Sequence, residues 1–260
     1  MDPGLRTSAS GMIAQQKMVD VIANNLANVN TTGFKRSRAS FEDVLYETVQ
    51  GPQSNGDATI APMQVGHGVR LNAVTRIDAQ GGPQVTERPL DVAIDGEGYF
   101  QVQMPDGSTA YTRDGSFSLS ENGQIVTSDG NALLPNIVIP PDSTAITIGN
   151  DGTVSVTGGK SNDSTQVGKI ELARFANPTG LLAMGGNLYD ETVASGPPSI
   201  GQPQIDGFGR LLQGNLESSN VEVVQEMTDM IAAQRAYEIN AKAISTAESM
   251  MKSIDDLLQY

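Results

Sequence analysis

Few side chains in this sequence could do chemistry, and their spacing is poor for it. His67 is the only histidine in 260 residues, so a histidine-clustered metal site is excluded and a Ser-His-Asp relay would have to be built on it. It stands between Gly66 and Gly68 in a segment that reads as a loop. Gly159-Lys160-Ser161 matches the end of a phosphate-binding loop, but that loop needs a glycine five positions before Gly159, where Val154 stands. Gly96-Glu97-Gly98 lacks the third glycine and the βαβ setting of a dinucleotide site and reads as tight strand geometry. Asp91, Asp95 and Glu97 could supply the paired carboxylates of a glycosidase. In a chain with 30 Asp and Glu such clusters arise freely, and a solvated acidic face is the simpler reading. The sequence therefore predicts no catalytic residue, no cofactor-binding residue and no metal ligand.

Composition narrows the class further. The formal net charge is −14, with 16 Lys and Arg against 30 Asp and Glu, a field that repels nucleic acid and anionic lipid. There is no cysteine, which removes disulfides, thiol catalysis and cysteine-based metal centres. Residues 1–30 lack the apolar stretch of a cleavable secretory signal, and no run approaches the roughly 18 apolar residues of a membrane span. A chain that is not an integral membrane protein and that leaves the cytosol with its N-terminus in place is the expectation.

Two helices frame the sequence. Leu5, Ala9, Met12, Val19, Ile22, Leu26 and Val29 recur at helical spacings with no proline among them, and Asn28-Val29-Asn30-Thr31-Thr32-Gly33 supplies the stop. Pro3-Gly4 predicts that this helix begins at about Leu5. From Val221 to Leu258 there is neither glycine nor proline, and Val223, Met230, Tyr237, Ile244, Met251 and Leu258 fall at intervals of seven. Glu226, Ala233, Asn240, Ala247 and Ile254 follow three residues after the first five, so the second seam position is partly small or polar. Such a stripe needs a partner, either the N-terminal helix or helices of other subunits, and both can hold at once. Asn24, Asn25 and Asn28 are poor helix formers, and three in five residues predict side-chain hydrogen bonds.

Between the helices the pattern changes. Asp-Gly pairs at 95/96, 106/107, 114/115, 129/130 and 151/152 separate short alternating runs, which read as β-hairpins. Leu90, Val92 and Ile94 form one run; Phe100, Val102 and Met104 form another. Ile146 and Ile148 lead into Gly149-Asn150-Asp151-Gly152, followed by Val154 and Val156, the pattern of a short-loop hairpin. The fold class is α+β: long N- and C-terminal helices forming a coiled-coil-like domain, with a β-rich middle domain inserted between them. Lys35, Arg36 and Arg38 make the one basic cluster. They could meet acids of a neighbouring subunit or sit in a solvated loop balanced by Glu42, Asp43 and Glu47.

Several stretches resemble one family. Residues 23–35, Ala-Asn-Asn-Leu-Ala-Asn-Val-Asn-Thr-Thr-Gly-Phe-Lys, are similar to the N-terminal signature of flagellar basal-body rod and hook proteins. Residues 90–100 and 111–117 resemble that family's middle domain, and Gln225 to Ser245, with Gln234-Arg235-Ala236-Tyr237-Glu238-Ile239-Asn240, its C-terminal helix. The length, residues 34–41 and residues 209–217 look most like its distal-rod branch.

The resemblance implies a structural subunit with no reaction and no cofactor. Residues 1–30 and 215–260 would form an inner tube, residues 31–69 a connecting brace, and residues 70–210 a β-rich outer domain. The implied subunit interface comprises Leu5, Met12, Val19, Ile22, Asn24, Asn25, Leu26, Asn28, Val29, Val223, Met230, Tyr237, Ile244, Met251 and Leu258. Implied partners are further copies of the chain, proximal rod and hook axial proteins, the bushing rings and the flagellar export apparatus, in a rod that crosses the periplasm. A secreted β-rich carbohydrate-binding domain leaves the heptads unexplained, and the absence of tryptophan weakens it. An adhesin stalk would carry longer continuous heptads.

Overall fold

The two glycine-poor, apolar-striped ends become the two helices, and the Asp-Gly-punctuated middle becomes strands. The computed structural model describes residues 3–50, 53–55, 58–60, 63–158 and 164–258. The chain divides into two compact units, one of Met1–Ala27, Ser37–Arg76 and Glu222–Tyr260, the other of Asn28–Arg36 and Ile77–Val221. The Gly159-Lys160-Ser161 turn lies outside the described residues, as do Gly51, Pro52, Gly56 and Pro62.

In the helical unit α1 spans Pro3–Ala27 and α2 spans Val223–Leu258. α1 begins at Pro3 rather than at Leu5, because proline's fixed φ suits the first helical position and its missing N–H would have had no partner there. The helices pack on each other antiparallel. Asn25 meets Glu226, and fourteen residues along each helix Gly11 lies against Asn240, whose Nδ2 would stand 2.9 Å from a Cβ at Gly11. Continued for eight residues, this register sets Pro3 level with Glu248. The described α2 thus runs about ten residues, roughly 15 Å, beyond the described α1.

The rest of this unit is a ribbon of three successive antiparallel pairs. β1 (Ser37–Asp43) pairs with β6 (Val69–Arg76), β2 (Tyr46–Gln50) with β5 (Met63–Gly66), and β3 (Gln53–Asn55) with β4 (Ala58–Ile60). β1 and β6 lie along α1, and Ser10 joins the two, its Oγ accepting from Val69 N at 3.2 Å and donating to Thr7 O at 2.7 Å. Gly68, at φ +106°, packs so close to Ser10 that a side chain has no room. His67 faces Glu47, with Nε2 3.4 Å from the carboxylate.

The other unit holds β7 (Pro83–Val85), β8 (Val92–Asp95), β9 (Tyr99–Gln103), β10 (Thr109–Thr112), β11 (Ser118–Leu119), β12 (Ile125–Val126), β13 (Ala132–Leu134), β14 (Ser143–Ile148), β15 (Thr153–Gly158) and β16 (Ser164–Lys169). β17 (Leu172–Arg174), β18 (Leu182–Gly185), β19 (Leu188–Asp190), β20 (Ser199–Gly201), β21 (Arg210–Gln213) and β22 (Asn215–Glu217) complete it. The largest sheet runs β11-β12-β13-β9-β10-β19-β18, with β17 also on β9 and β20 on β17. β14, β15 and β16 form a meander whose first turn is the expected Gly149–Gly152 loop, closed by Gly149 N to Thr153 O at 2.8 Å. β21 pairs with β8, and β22 with β7. Val92, Ala93 and Ile94 are all buried, so β8 is covered on both faces rather than half-exposed as its alternation suggested. Phe100, Phe117, Leu133, Ile170, Leu172 and Leu211 fill the core around it.

A second cluster gathers Tyr99, Tyr111, Phe175 and Tyr189 edge to face, with ring centroids 4.8 to 6.0 Å apart. Burial, and then the nearby Glu191 and Asp190 carboxylates, push the Tyr111 phenol up from 10.0 to about 12. The unfolded chain therefore loses this proton first, and the stabilisation present below pH 10 is lost as pH rises towards about 12. Denaturant midpoints measured across that range should fall for the native chain, and the fall should be shallower in Tyr111→Phe. Parallel curves for the two would refute the assignment.

Candidate assembly surface

α2 has two apolar faces, and its own partner helix covers only one. Towards α1 the buried positions are Glu226 and Ala233, with Met230, Asn240, Ile244 and Ala247 half-buried beside them. Small residues sit at the centre because they let two helix backbones approach closely. On the far side Val224, Met227 and Ile231, spaced by three and four, are 75, 51 and 50 % exposed; Ile239, Met250 and Ile254 are also exposed, at other positions around the helix. On α1, Ile13 is exposed as well. The row Val224, Met227 and Ile231 is the contiguous part of this exposed apolar surface and the candidate interaction face. A cleft of about 380 Å³ opens between the helices, lined by Gln15, Gln16, Val19, Gln234, Tyr237 and Glu238.

The residues expected at the interface divide accordingly. Ile22 and Asn25 are buried on α1, together with Ala14, while Leu5, Met12, Val19 and Leu26 are half-buried and Asn24 is exposed. Asn28 and Val29 lie just past the helix in the other unit, where Asn28 Oδ1 accepts from Thr31 Oγ1 at 3.1 Å. On α2, Val223, Tyr237 and Met251 are exposed, and Leu258 is the last helical residue. Among the three clustered asparagines, Asn25 substitutes for a strand neighbour. Its Nδ2 donates to Ser37 O and its Oδ1 accepts from Ser37 N, both at 2.8 Å, and Nδ2 also reaches Glu226 at 3.2 Å. The heptad reading favoured large residues and so missed Val224, Met227 and Ile231. Their three-four spacing was the available signal.

The basic cluster is not a surface patch as a whole. Lys35 is 1 % exposed and paired with the equally buried Glu217, so neither a neighbouring subunit nor the acids at 42, 43 and 47 balances it. Arg38 is exposed. Among the described residues no helix is long and apolar enough to cross a membrane.

Three family descriptions match the chain in order: "Flagella basal body rod protein" over residues 5–35, "Flagellar hook protein FlgE/F/G D1 domain" over 93–156, and "Flagellar basal body rod FlgEFG protein C-terminal" over 212–257. The flagellar basal-body rod protein FlgG of Caulobacter vibrioides is 51 % identical over 257 residues, covering 97 % of this chain and 98 % of that protein. The chain belongs to the flagellar basal-body rod protein family. FlgG of Borreliella burgdorferi is 50 % identical over 258 residues, with 97 % of each chain covered. The FlgF rod protein of Caulobacter vibrioides is only 35 % identical over 262 residues, so within one organism FlgG is clearly the nearer relative. This rod-family chain is accordingly a structural subunit of the flagellar basal body, in the distal-rod branch, and associates with other axial components of the flagellum. These three descriptions span both helices and the strands within 93–156; residues 36–92 and 157–211 lie between them.

Proposed function

We propose that the chain polymerises head to tail through its terminal helices into a hollow, torque-transmitting shaft between proximal rod and hook. The observation that carries this reading is the second, uncovered apolar stripe on α2 opposite the seam used within the chain. Packed on a different surface of the next copy, this stripe makes a heterologous contact, and heterologous contacts that do not close generate helical polymers. The predicted interface residues Met12, Val19, Ile22, Met230 and Ile244 then maintain the helix pair. Val224, Met227 and Ile231 meet neighbouring copies.

The finer assignments are part of the same proposal. Proximal rod and hook proteins would abut the two ends, the bushing rings would surround the shaft in the periplasm, and the subunit would leave through the flagellar export apparatus without a cleaved signal. The connecting segment of residues 31–69, most of which lies in the ribbon, would brace the stack, and no reaction or cofactor is involved. A Caulobacter vibrioides strain lacking its own FlgG tests it. Given this chain, the strain should regain swimming and show extended rods in isolated basal bodies by electron microscopy. A chain that is produced and exported but never incorporated would overturn the proposal.

A further inference from the structure

The chain passes between its two units four times, after residues 27, 36, 76 and 221. On the β-rich side the flanking segments are 28–36, 77–82 and 217–221, and they are stitched together by three buried or half-buried side chains. Glu217 is the hub. Its carboxylate takes the Lys35 ammonium, the Gly81 N–H at 2.9 Å and Arg113 Nη1 at 3.4 Å, while its backbone oxygen accepts from Gly33 N at 2.8 Å. Lys35 Nζ also donates to Ala79 O at 2.9 Å. Arg113 is anchored in turn by Gly96 O at 2.9 Å and lies over the Tyr99 ring. Asn220 completes the set: Oδ1 accepts from Arg36 N at 2.7 Å, and Nδ2 donates to Ile77 O and Ala79 O at 2.8 and 2.9 Å.

A buried ion cluster is a poor device for stability alone, because desolvation offsets most of the attraction and apolar residues of like size often do as well. Burial indeed pulls the Lys35 ammonium below its ordinary range, against the pull of Glu217. What the cluster supplies instead is geometric: one carboxylate and one amide are satisfied only when all three segments are in place together. We propose that Lys35, Glu217 and Asn220 form a mechanical clamp that ties the chain crossings into one body, so that load arriving along any of them is shared rather than peeling one segment away.

The bonds Gly33 to Glu217 and Phe34 to Asn220 run in the same order along both segments. A pull applied at residue 30 and at residue 222 therefore loads them in shear. The purpose of the clamp rests on the rod reading, but its existence does not, and the isolated chain tests it separately. Because the protein has no cysteine, Asn30→Cys and Glu222→Cys, both at exposed positions, give specific handles for single-molecule force measurements on the full chain. At fixed force, Asn220→Ala, which loses three neutral hydrogen bonds to backbone, and Glu217→Gln, which loses the charge facing Lys35 and Arg113, should each rupture on the order of tenfold faster or more than the parent. The control is Ile125→Val, a core change far from the crossings in sequence, compared at equal thermal stability by adjusting temperature. A control that ruptures as fast as Asn220→Ala at matched stability would overturn the clamp, since the loss would then follow stability rather than position. Asn220→Ala, which removes no charge, carries the test if Glu217→Gln fails to fold.

Discussion

Alanine at Gly115 is expected to destabilise the β-rich unit strongly, by about 3 kcal/mol or more. A Cβ there would stand 1.7 Å from Val92 O and 2.8 Å from the Val92 carbonyl carbon, with the Phe100 ring at 3.4 Å behind it. The neighbour is backbone, not a flexible side-chain tip, and it is fixed from the other side: Val92 N donates to Gly115 O at 3.1 Å and Val92 is fully buried. Relief requires β8 to move away from the turn, which breaks the β8–β21 pairing and opens the core around Phe100 and Phe117. Overpacking of this kind costs about 3 kcal/mol or more, a large part of a domain's net stability. Urea titration followed by circular dichroism is the check, and a Gly115→Ala protein within about 1 kcal/mol of the parent would contradict the packing described here.

The second large effect is on assembly rather than folding. Met227→Glu with Ile231→Glu should leave the isolated chain as stable as the parent, because both side chains are about half exposed and face away from α1. In the proposed polymer each would bury its remaining half, at about 1 kcal/mol apiece. The double variant should thus weaken subunit association by roughly tenfold to a hundredfold, before counting the penalty of burying two carboxylates. Sedimentation or light scattering of concentrated protein, together with swimming of the complemented strain, reads this directly. Normal assembly at parental concentration would show that another face carries the contacts.

The contrast between these two sites shows what a sequence displays and what it hides. Helix extents were legible because periodic segments, glycine-free in α2 and glycine-poor in α1, leave little choice, and the Gly149–Gly152 hairpin was legible because its turn residues are local. The seam of α2 was legible as two rows, Val223-Met230-Tyr237 and Glu226-Ala233-Asn240, but not which row would be covered: Glu226 and Ala233 are buried, Met230 is half-buried, and Val223 and Tyr237 stay exposed. Strands β1, β5 and β6 escaped because none of their side chains is fully buried, so no buried-and-exposed alternation marks them. Lys35 and Glu217 are 182 positions apart, and no local pattern connects a lysine beside two arginines to a carboxylate on the last strand. The turn reading at Asn28–Gly33 was sound, but its consequence, Gly33 at φ +67° against the Arg113 backbone, is a tertiary fact.

The unequal helix lengths bear on growth. α2 continues about ten residues past the point level with Pro3, and Met250, Met251 and Ile254 on that overhang are exposed. The helix pair therefore has one blunt end and one end with a greasy tongue roughly 15 Å long. A stack of such pieces is directional, like a row of bricks each with a tenon on one side only. In the proposed shaft an incoming subunit would meet a different chemical surface at the tip than at the base, so elongation and attachment to the underlying structure would be separate binding problems that one sequence has to solve with opposite ends of the same helix.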